Sequence, residues 1–359
     1  MVVFVVSQVV EQAKGLINAL KKLQRSVSIN DVAKEAGVSN ASVSRVLSKH
    51  PSVTEEMRAR VQEAVRTLGY RKDHTAQRLR AQTASNVIGL ITRSIQDPHF
   101  SAITQAVSDY AFEHQLTVIL CNTNIREQKE HHFLELMESE RAAGLLISPK
   151  NSMRDFEALE RLRGGGTAIV LFDSGIDQDN FDLVQTDNIG GAYSGVRHLI
   201  DTGRRQVGIV TGFMELSSAK QRLEGYTLAL SENNLDHGKY VRYGDYSEAS
   251  GYIETVALLK LRPEIDSLFI SNHEMTLGAL KALSEAGKAI PTDVALVSFD
   301  DLSWFERVTP SLTAVRQPSY AIGHKAVECL IKRMASPDLP RQKLVLPTQL
   351  IVRSSSATD

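Results

Sequence analysis

The sequence has few of the residues expected in an extracellular or membrane-spanning protein. Its 359 residues include only two cysteines, Cys121 and Cys329, which stand far apart without a partner pattern. We expect both to be buried as small hydrophobic residues in a reducing cytoplasm. No apolar run approaches the roughly 18 residues that a membrane-spanning helix needs. The opening Val2–Val6 run is short and follows no basic segment, so we expect no signal peptide.

The common catalytic signatures are also absent. The sequence has no Gly-x-Ser-x-Gly elbow, no P-loop and no His-Glu-x-x-His helix. The pair His131–His132 lies in a charged stretch, and the glycine run 164–166 precedes a strand instead of joining a strand to a helix. We therefore predict that the protein is not an enzyme and has no catalytic residue, metal site or cofactor.

Charge is distributed unevenly along the chain. Residues 1–84 contain 14 Lys and Arg against 7 Asp and Glu, whereas the other 275 residues contain 27 against 35. These two contributions nearly cancel in the formal net charge of −1. A basic first part on an acidic remainder predicts that only the first part approaches a polyanion. Chance asymmetry of a solvated surface is the alternative.

Three short helices are predicted between residues 29 and 69. The first ends at Gly37, which has the place of a C′ glycine. The second follows an N-cap at Ser39, and the third follows an N-cap at Thr54. Small apolar residues would let the first two helices cross closely around a tight turn, as in a helix-turn-helix unit; they are Val32, Ala33, Val38, Val43, Val46 and Leu47.

The outward face of the second predicted helix suits a DNA major groove. Arginine pairs there with guanine and asparagine with adenine, and this face would present Asn40, Ala41, Ser42, Ser44 and Arg45. Residues at helix starts can meet phosphate oxygens, and those here are Ser28, Asn30, Ser39 and Thr54. An ordinary solvated helical hairpin is the alternative.

The segments VSINDVAKEAGVSNASVSRVLS and VTEEMRARVQEAVRTLGY strongly resemble the headpiece of the lactose-repressor (LacI/GalR) family of bacterial transcription regulators. The resemblance runs from about Val27 to the C-terminus. It implies base contacts from Asn40, Ala41 and Arg45. It also implies phosphate or base-edge contacts from four serines, which are Ser28, Ser39, Ser42 and Ser44.

The resemblance further implies a hinge helix that becomes ordered on operator DNA and inserts apolar residues into the minor groove. The matching stretch, residues 73–80, has Ala76 and Leu79 at the inserting positions. A plain linker role for Leu79 is the alternative. Members of the family usually enter the hinge through Tyr-x-Pro-Asn, where this chain has Tyr-Arg-Lys-Asp. Without that proline the entry is less stiff.

Beyond residue 84 the pattern changes to short apolar runs separated by helical stretches of about 12–18 residues, as in parallel βα units. The runs are Val87–Ile91, Leu116–Leu120, Gly144–Ile147, Ala168–Phe172, Gln206–Val210, Ser267–Ile270 and Ala295–Phe299. They predict two doubly wound lobes with helices on both faces of each sheet.

Polar residues recur just after these runs, where doubly wound sheets bind ligands. Together with aromatic residues such as Phe100, Tyr246 and Trp304, they describe a sugar site, although any one of them is more often a cap or turn residue. The body resembles periplasmic sugar-binding proteins. That resemblance implies an effector site formed by Asp97, Phe100, Asp173, Arg222, Tyr246, Asn272 and Asp300. Family members most often have Asp at the position of His273, a change that either alters ligand choice or, as we favour, replaces a capping group.

The predicted fold is a small all-α helix-turn-helix headpiece joined to an α/β body of two doubly wound parallel-sheet lobes, similar to periplasmic binding proteins. The predicted domains are an N-terminal extension (1–25), the headpiece (26–72), the hinge (73–84) and the effector-binding and dimerisation domain (85–359). Lobe one would comprise about 85–185 and 316–342, and lobe two 186–315 and 343–355. Residues 1–25 are either an amphipathic helix or leader residues from a start codon assigned too far upstream.

These observations predict a cytoplasmic bacterial repressor, bound to the nucleoid when on DNA, with no membrane partner. Its partners would be double-stranded operator DNA, a small-molecule effector that is a carbohydrate, and a second copy of the chain in a homodimer or a dimer of dimers. The main alternative is a small-molecule binding protein for transport or chemoreception that carries an inert head. A sugar-converting enzyme would need a nucleophile and base that the pocket does not offer.

Overall fold

The computed structural model describes residues 27–47, 50–70, 85–150, 153–176, 181–236 and 238–357. The chain forms two compact units, of which the second begins at Ser85. The N-terminal stretch 1–25 and the predicted hinge residues Ala76 and Leu79 lie outside the described residues.

The first unit contains the three predicted helices: α1 (Ile29–Ala36), α2 (Asn40–Leu47) and α3 (Glu55–Leu68). As predicted, Gly37 ends α1 in the left-handed conformation (φ 63°), which favours glycine. The first unit is therefore the predicted helix-turn-helix.

Small side chains form the core of this unit. Val32 on α1, Val43 on α2 and Val61 on α3 are fully buried and belong to one hydrophobic cluster. Arg60 on α3 donates to the carbonyl oxygen of Ala36 from Nη2 (2.7 Å) and from Nε (3.2 Å), so it caps the C-terminus of α1. These contacts fix the angle at which α3 supports the other two helices.

The second unit contains twelve strands and eight helices among its described residues. The strands are β1 (Val87–Thr92), β2 (Thr117–Asn122), β3 (Gly144–Ile147), β4 (Ala168–Phe172), β5 (Asp182–Thr186), β6 (Val207–Thr211), β7 (Val241–Tyr243), β8 (Ser267–Ile270), β9 (Ala295–Phe299), β10 (Thr313–Arg316), β11 (Lys343–Leu346) and β12 (Gln349–Ile351). The helices are α4 (Pro98–Glu113), α5 (Glu127–Ser139), α6 (Met153–Gly164), α7 (Asn188–Asp201), α8 (Ser217–Glu232), α9 (Glu248–Leu261), α10 (His273–Glu285) and α11 (Ser319–Ala335).

The strands form two six-stranded sheets of matching design. The first has the order β11-β5-β4-β3-β1-β2 and the second β12-β10-β9-β8-β6-β7. All pairs are parallel except β10 with β12. Neighbouring residues of a strand face opposite hydrophobic layers, as Leu145 and Leu146 of β3 show, so helices cover both faces of the first sheet. The two doubly wound lobes are confirmed.

The predicted lobe boundary is wrong for residues 343–346. We predicted this segment for lobe two, but β11 pairs in parallel with β5, at the edge of the first sheet. Every second residue of β11 is exposed, as expected of an edge strand that carries charge and is covered on one face. The chain therefore crosses between the lobes three times, after β5, after β10 and after β11.

Two glycines bring α9 and α10 into close contact. A Cβ atom on Gly278 would lie 2.1 Å from the carbonyl oxygen of Glu248, and one on Gly251 would lie 2.3 Å from that of Met275. This packing fixes the N-termini of α9 and α10 side by side at the carboxyl end of the second sheet.

Cys121 and Cys329 are free and buried, as predicted. Across the described ranges, no helix combines the length and the apolar character that crossing a bilayer demands.

Candidate functional site

The outward face of α2 has the composition that the sequence predicted. Asn40, Ala41, Ser44 and Arg45 are exposed, while Ser42 is half-buried. Asn40 donates from Nδ2 to Oδ1 of Asn30 at 2.6 Å, which orients its amide. The face therefore presents an oriented amide, a small apolar residue, a hydroxyl and a guanidinium group.

Three of the predicted phosphate-contact residues are helix N-caps in the structure. Ser28 caps α1 and forms a reciprocal capping box with Asp31. Ser39 accepts from the backbone N–H of Ser42 (3.2 Å), and Thr54 accepts from that of Met57 (3.3 Å). Their hydroxyl groups thus stabilise the helix starts, as the sequence patterns predicted. Phosphate contact by the same residues is a separate expectation.

The second unit holds a cavity of about 400 Å³ between its two lobes, at the carboxyl ends of the strands. All seven residues predicted for the effector site line this cavity: Asp97, Phe100, Asp173, Arg222, Tyr246, Asn272 and Asp300. They come from both lobes, so a ligand there would touch both at once. Trp304, which the sequence also suggested, does not line the cavity; it is half-buried and packs against Phe305 at the side of a hydrophobic cluster of lobe two.

Strand ends and helix starts place these side chains. Three of them come after strands: Asp173 directly after β4, Asp300 directly after β9 and Tyr246 three residues after β7. Each has a positive φ, which is 63° for Asp173, 76° for Asp300 and 67° for Tyr246. Such backbone is strained for residues other than glycine, by about 1–3 kcal/mol each, and strain of this kind concentrates at binding sites. Asp97 and Asn272 are the N-caps of α4 and α10.

A buried ion pair that sequence reasoning missed lies on the lobe-one side. Arg93, the first residue after β1, donates from Nη2 to Oδ2 of Asp173, and both residues are buried. Its guanidinium group also lies 5.0 Å from the ring centre of Phe100. Burial lowers the pKa of Arg93 to about 10, so it stays charged at neutral pH. The sequence could have indicated Arg93 as a cavity residue, because it comes directly after a buried apolar run.

His99 connects Asp173 to the start of α11. Its Nε2 lies 3.1 Å from Oδ1 of Asp173, and its Nδ1 lies 2.8 Å from Oγ of Ser319. A serine, a histidine and a carboxylate in sequence resemble a hydrolase triad. However, burial lowers the pKa of His99 to about 3, and the carboxylate is already neutralised by Arg93. His99 is therefore a very weak base, and we interpret the arrangement as structural.

Arg222, on α8, is the central cation of the lobe-two side. Its Nε donates to Oδ1 of Asn188 at 2.9 Å and its Nη1 to the carbonyl oxygen of Ser271 at 2.5 Å. The guanidinium group lies 3.7 Å from the ring centre of Phe299. Backbone, amide and aromatic ring together hold this arginine in one orientation.

Asp300 accepts hydrogen bonds from two residues beside the cavity. His273 Nδ1 lies 3.2 Å from Oδ2, and Gln317 donates from Nε2 to Oδ1 at 2.5 Å. Burial alone would raise the pKa of Asp300, but the hydrogen bond and charge of His273, with the charge of Arg222, lower it well below its ordinary value. Burial would lower the pKa of His273, but Asp300, with Asp97 and Glu274, raises it to about 9. Both groups are therefore charged at neutral pH.

We predicted that His273 replaces a capping group, and this prediction is wrong. Asn272 is the N-cap of α10 and accepts from the backbone N–H of Met275 at 3.0 Å. His273 is the first residue of the helix and pairs with Asp300. Gln317, which the sequence did not single out, also accepts from Oγ1 of Thr186 at 2.6 Å. It thereby links two of the three crossover segments to Asp300.

A small helix-turn-helix unit followed by two sheet-based lobes around a ligand cavity defines a class: DNA-binding transcriptional regulators with a periplasmic-binding-protein-like body. Comparison with known proteins agrees with this class. Residues 28–73 match the model of the bacterial regulatory proteins, lacI family, and residues 196–356 match that of the periplasmic binding protein-like domain.

Named relatives extend over nearly the whole chain. The ribose operon repressor of Halalkalibacterium halodurans is 32% identical over 329 residues, which are 92% of this chain and 97% of the relative. The transcriptional repressor PurR of Actinobacillus pleuropneumoniae serotype 3 is 30% identical over 308 residues, which are 86% of this chain and 91% of the relative. The protein therefore belongs to the LacI family of bacterial transcriptional regulators.

Two solved structures show the same architecture. The CelR–cellobiose complex has a TM-score of 0.70 at 26% identity and covers 92% of this chain and 99% of its own. The lac repressor dimer bound to operator and the anti-inducer ONPF has a TM-score of 0.78 at 24% identity and covers 93% and 100%. The second likeness concerns the fold alone.

Proposed function

We propose that this protein is a repressor whose affinity for an operator is set by a small molecule, a sugar or sugar derivative, bound in the cavity between the lobes. The observation that carries this proposal is the convergence of Asp97, Asp173, Arg222 and Asp300 from both lobes on one cavity. Carboxylate and guanidinium groups form strong, directional hydrogen bonds with ring hydroxyls, and Phe100 and Tyr246 offer apolar faces. A relative named ribose operon repressor and a neighbour solved with cellobiose support a sugar.

The lobes touch beside the cavity through few contacts. The backbone N–H of Gly175 donates to Oγ of Ser217 at 3.0 Å, and Ser174 donates to Oγ of Ser218 at 3.4 Å. An effector that prefers one lobe arrangement shifts the population towards it, with a typical coupling of about 1–3 kcal/mol. We propose that this shift changes how the hinge segments of two subunits are spaced and so whether they fold on DNA.

We also propose that the protein is a dimer. The edge strands β2 and β7, at corresponding ends of the two sheets, carry exposed Leu120 and Tyr243, and nearby helices expose Phe112, Ile253 and Leu261. Exposed apolar residues on the corresponding edge strands of both sheets and on neighbouring helices favour self-association. A two-fold dimer presents two α2 helices to a near-palindromic operator.

The experiment combines operator selection with an effector screen. Duplexes selected from a random pool should contain a near-palindrome, and a sugar panel should include compounds that raise the melting temperature and change operator affinity. Arg222→Ala should abolish the effector response and keep operator binding, whereas Arg197→Ala, which removes an exposed ion pair with Asp201 near the end of α7, should keep both. If operator binding shows no steep negative dependence on salt, the alternative of a binding protein with an inert head is favoured.

A further inference from the structure

The cavity is lined mainly by negative charge. Among the described residues, two arginines line it, Arg93 and Arg222, and no lysine does. Six carboxyl groups line it: Asp97, Asp173, Asp245, Glu248, Glu274 and Asp300. Burial and the charge of Asp300 raise the pKa of Asp97, so the other five carry most of the negative charge. A cleft with one dominant sign of charge concentrates its field on any ligand inside.

Neither arginine is wholly available as an anchor for an anion. Arg93 is paired with Asp173 in the protein interior. Arg222 uses two of its three nitrogens on Asn188 and Ser271 and stacks on Phe299. The charge of Arg222 also acts on Asp300, whose pKa it helps to lower, so an anion at the remaining N–H groups of Arg222 would meet the field of that carboxylate.

Side chains close three of the helix starts at the cavity to anions. Backbone N–H groups at a helix N-terminus can bind a phosphate or carboxylate. Here the side chains of Asp97, Ser247 and Asn272 accept those N–H groups on α4, α9 and α10. Among the described residues, α8 begins at the cavity without a side-chain cap, after Leu216, and α5 and α11, which begin two residues beyond the lining residues Ile125 and Gln317, also lack one. At the cavity, carboxyl groups outnumber guanidinium groups by six to two.

Three of the six carboxylates have side chains that reach solvent at the cavity. Asp245 and Glu248 are exposed, and the Glu274 side chain is 47% exposed. Glu274 lies 3.5 Å from Nε2 of His273, which offsets part of one charge. These groups meet an approaching ligand first, so like charge is repelled before it reaches the inner residues.

We propose that the cavity selects its effector by charge: it takes an uncharged polyhydroxylated molecule or its amino derivative, and it excludes sugar acids and sugar phosphates. Hydroxyl and ammonium groups donate to the free carboxylate oxygens, and each such bond is strengthened by the charge of the acceptor. This inference rests on the proposed function and names the class of molecule that the same cavity accepts.

The test is a thermal-shift titration of wild type and Arg222→Ala with matched sets that share one carbon skeleton. Suitable sets are glucose, glucosamine, glucuronate and glucose 6-phosphate, with the corresponding galactose compounds and with ribose and ribose 5-phosphate. We expect the compounds that stabilise wild type but not Arg222→Ala to be uncharged or cationic. Their anionic analogues should bind at least roughly tenfold more weakly.

A second variant separates charge from shape. In the double variant Glu248→Gln/Glu274→Gln, the difference in affinity between a neutral compound and its acid should become smaller. The control is Glu285→Gln, which removes a carboxylate remote from the cavity that accepts from Tyr252, and it should leave this difference unchanged. An anion that binds wild type as tightly as its neutral parent, or a difference that the double variant does not alter, overturns the inference and leaves the proposed function standing. If no compound shows binding that depends on Arg222, the proposed function fails and the inference fails with it.

Discussion

Nδ1 of His273 lies 3.2 Å from Oδ2 of Asp300, and both residues are buried at the edge of the cavity. Asp300 also accepts from Gln317 and lines the cavity directly. The imidazolium therefore keeps a ligand-facing carboxylate ionised inside the protein. His273 stands where members of the family most often have Asp, and its pairing with Asp300 gives this difference a physical role.

The His273–Asp300 pair predicts a loss of stability in mildly basic solution. Because the pKa of His273 is raised to about 9 from an ordinary 6.5, its contribution is complete below about pH 6.5 and is lost as the pH rises through 9. The free energy of unfolding, measured with urea from pH 6 to pH 10, should fall by up to about 3 kcal/mol more in wild type than in His273→Gln.

His114→Gln provides the control, since His114 is exposed at the end of α4. This variant should follow the wild-type curve. Parallel curves for wild type and His273→Gln across the whole range would show that the pair does not contribute to stability.

The buried Arg93–Asp173 pair predicts strong coupling between two substitutions. Arg93→Met leaves the carboxylate of Asp173 buried without its cation and should cost about 3–5 kcal/mol of unfolding free energy. The double variant Arg93→Met/Asp173→Asn should recover much of this loss, because no uncompensated charge remains. Asparagine also tolerates the positive φ at this position.

Urea denaturation of the wild type, both single variants and the double variant gives the coupling energy directly. Additive losses would mean that the two side chains do not interact in solution. Asp201→Asn, which removes an exposed ion pair with Arg197, serves as the comparison and should leave the free energy of unfolding close to that of the wild type.

Arg45 on α2 predicts sequence-specific recognition. Arg45→Ala should weaken binding to the selected operator by about 1–3 kcal/mol and should change binding to random duplex much less. Fluorescence anisotropy with both duplexes measures the two effects. Arg66→Ala, which removes an exposed arginine paired with Glu63 on α3, is the matched control. Equal losses on the two duplexes would contradict base recognition by Arg45.

Leu79 carries a prediction that rests on the resemblance to the family, because the residue lies outside the described ranges. If it inserts into the minor groove, Leu79→Ala should reduce the bend in operator DNA. Gel mobility of circularly permuted operator fragments measures the bend angle. An unaltered angle would place the intercalating residue elsewhere in the chain.

The sequence predicts strands and helix starts best where a single local pattern, such as an apolar run or a capping hydroxyl, determines them. All seven apolar runs became strands, of which six are buried and one, β2, is an edge strand with exposed Leu120. The helix starts of the first unit follow hydroxyl caps that local hydrogen bonding determines. The strand β5 escaped notice because it contains Asp182 and Gln185, both buried. Asp182 is tolerated there because Arg333 (2.9 Å) and the backbone N–H of Gln342 (2.8 Å) bind it from distant parts of the chain. No local pattern reveals such partners.

The cavity residues that the sequence predicted are mainly those whose place in the repeating strand–helix pattern identifies them. Asp97, Asp173, Asn272 and Asp300 follow strands or start helices, so position in the repeating pattern identifies them. The functions of Arg93 and Gln317 depend on what they meet in space. The placement of β11 in lobe one likewise depends on a long-range pairing with β5. Periodicity indicates where elements occur and leaves their partners open.

The three crossings between the lobes have a practical consequence for anyone who wishes to divide this protein. Each sheet takes five strands from one stretch of chain and one edge strand from a later stretch, which is β11 after the second crossing and β12 after the third. A fragment that stops after β5 lacks α11, whose side chains fill one face of the first sheet. No single cut therefore releases an intact half. An excised sensor for use in other fusions should keep residues 85–357 together.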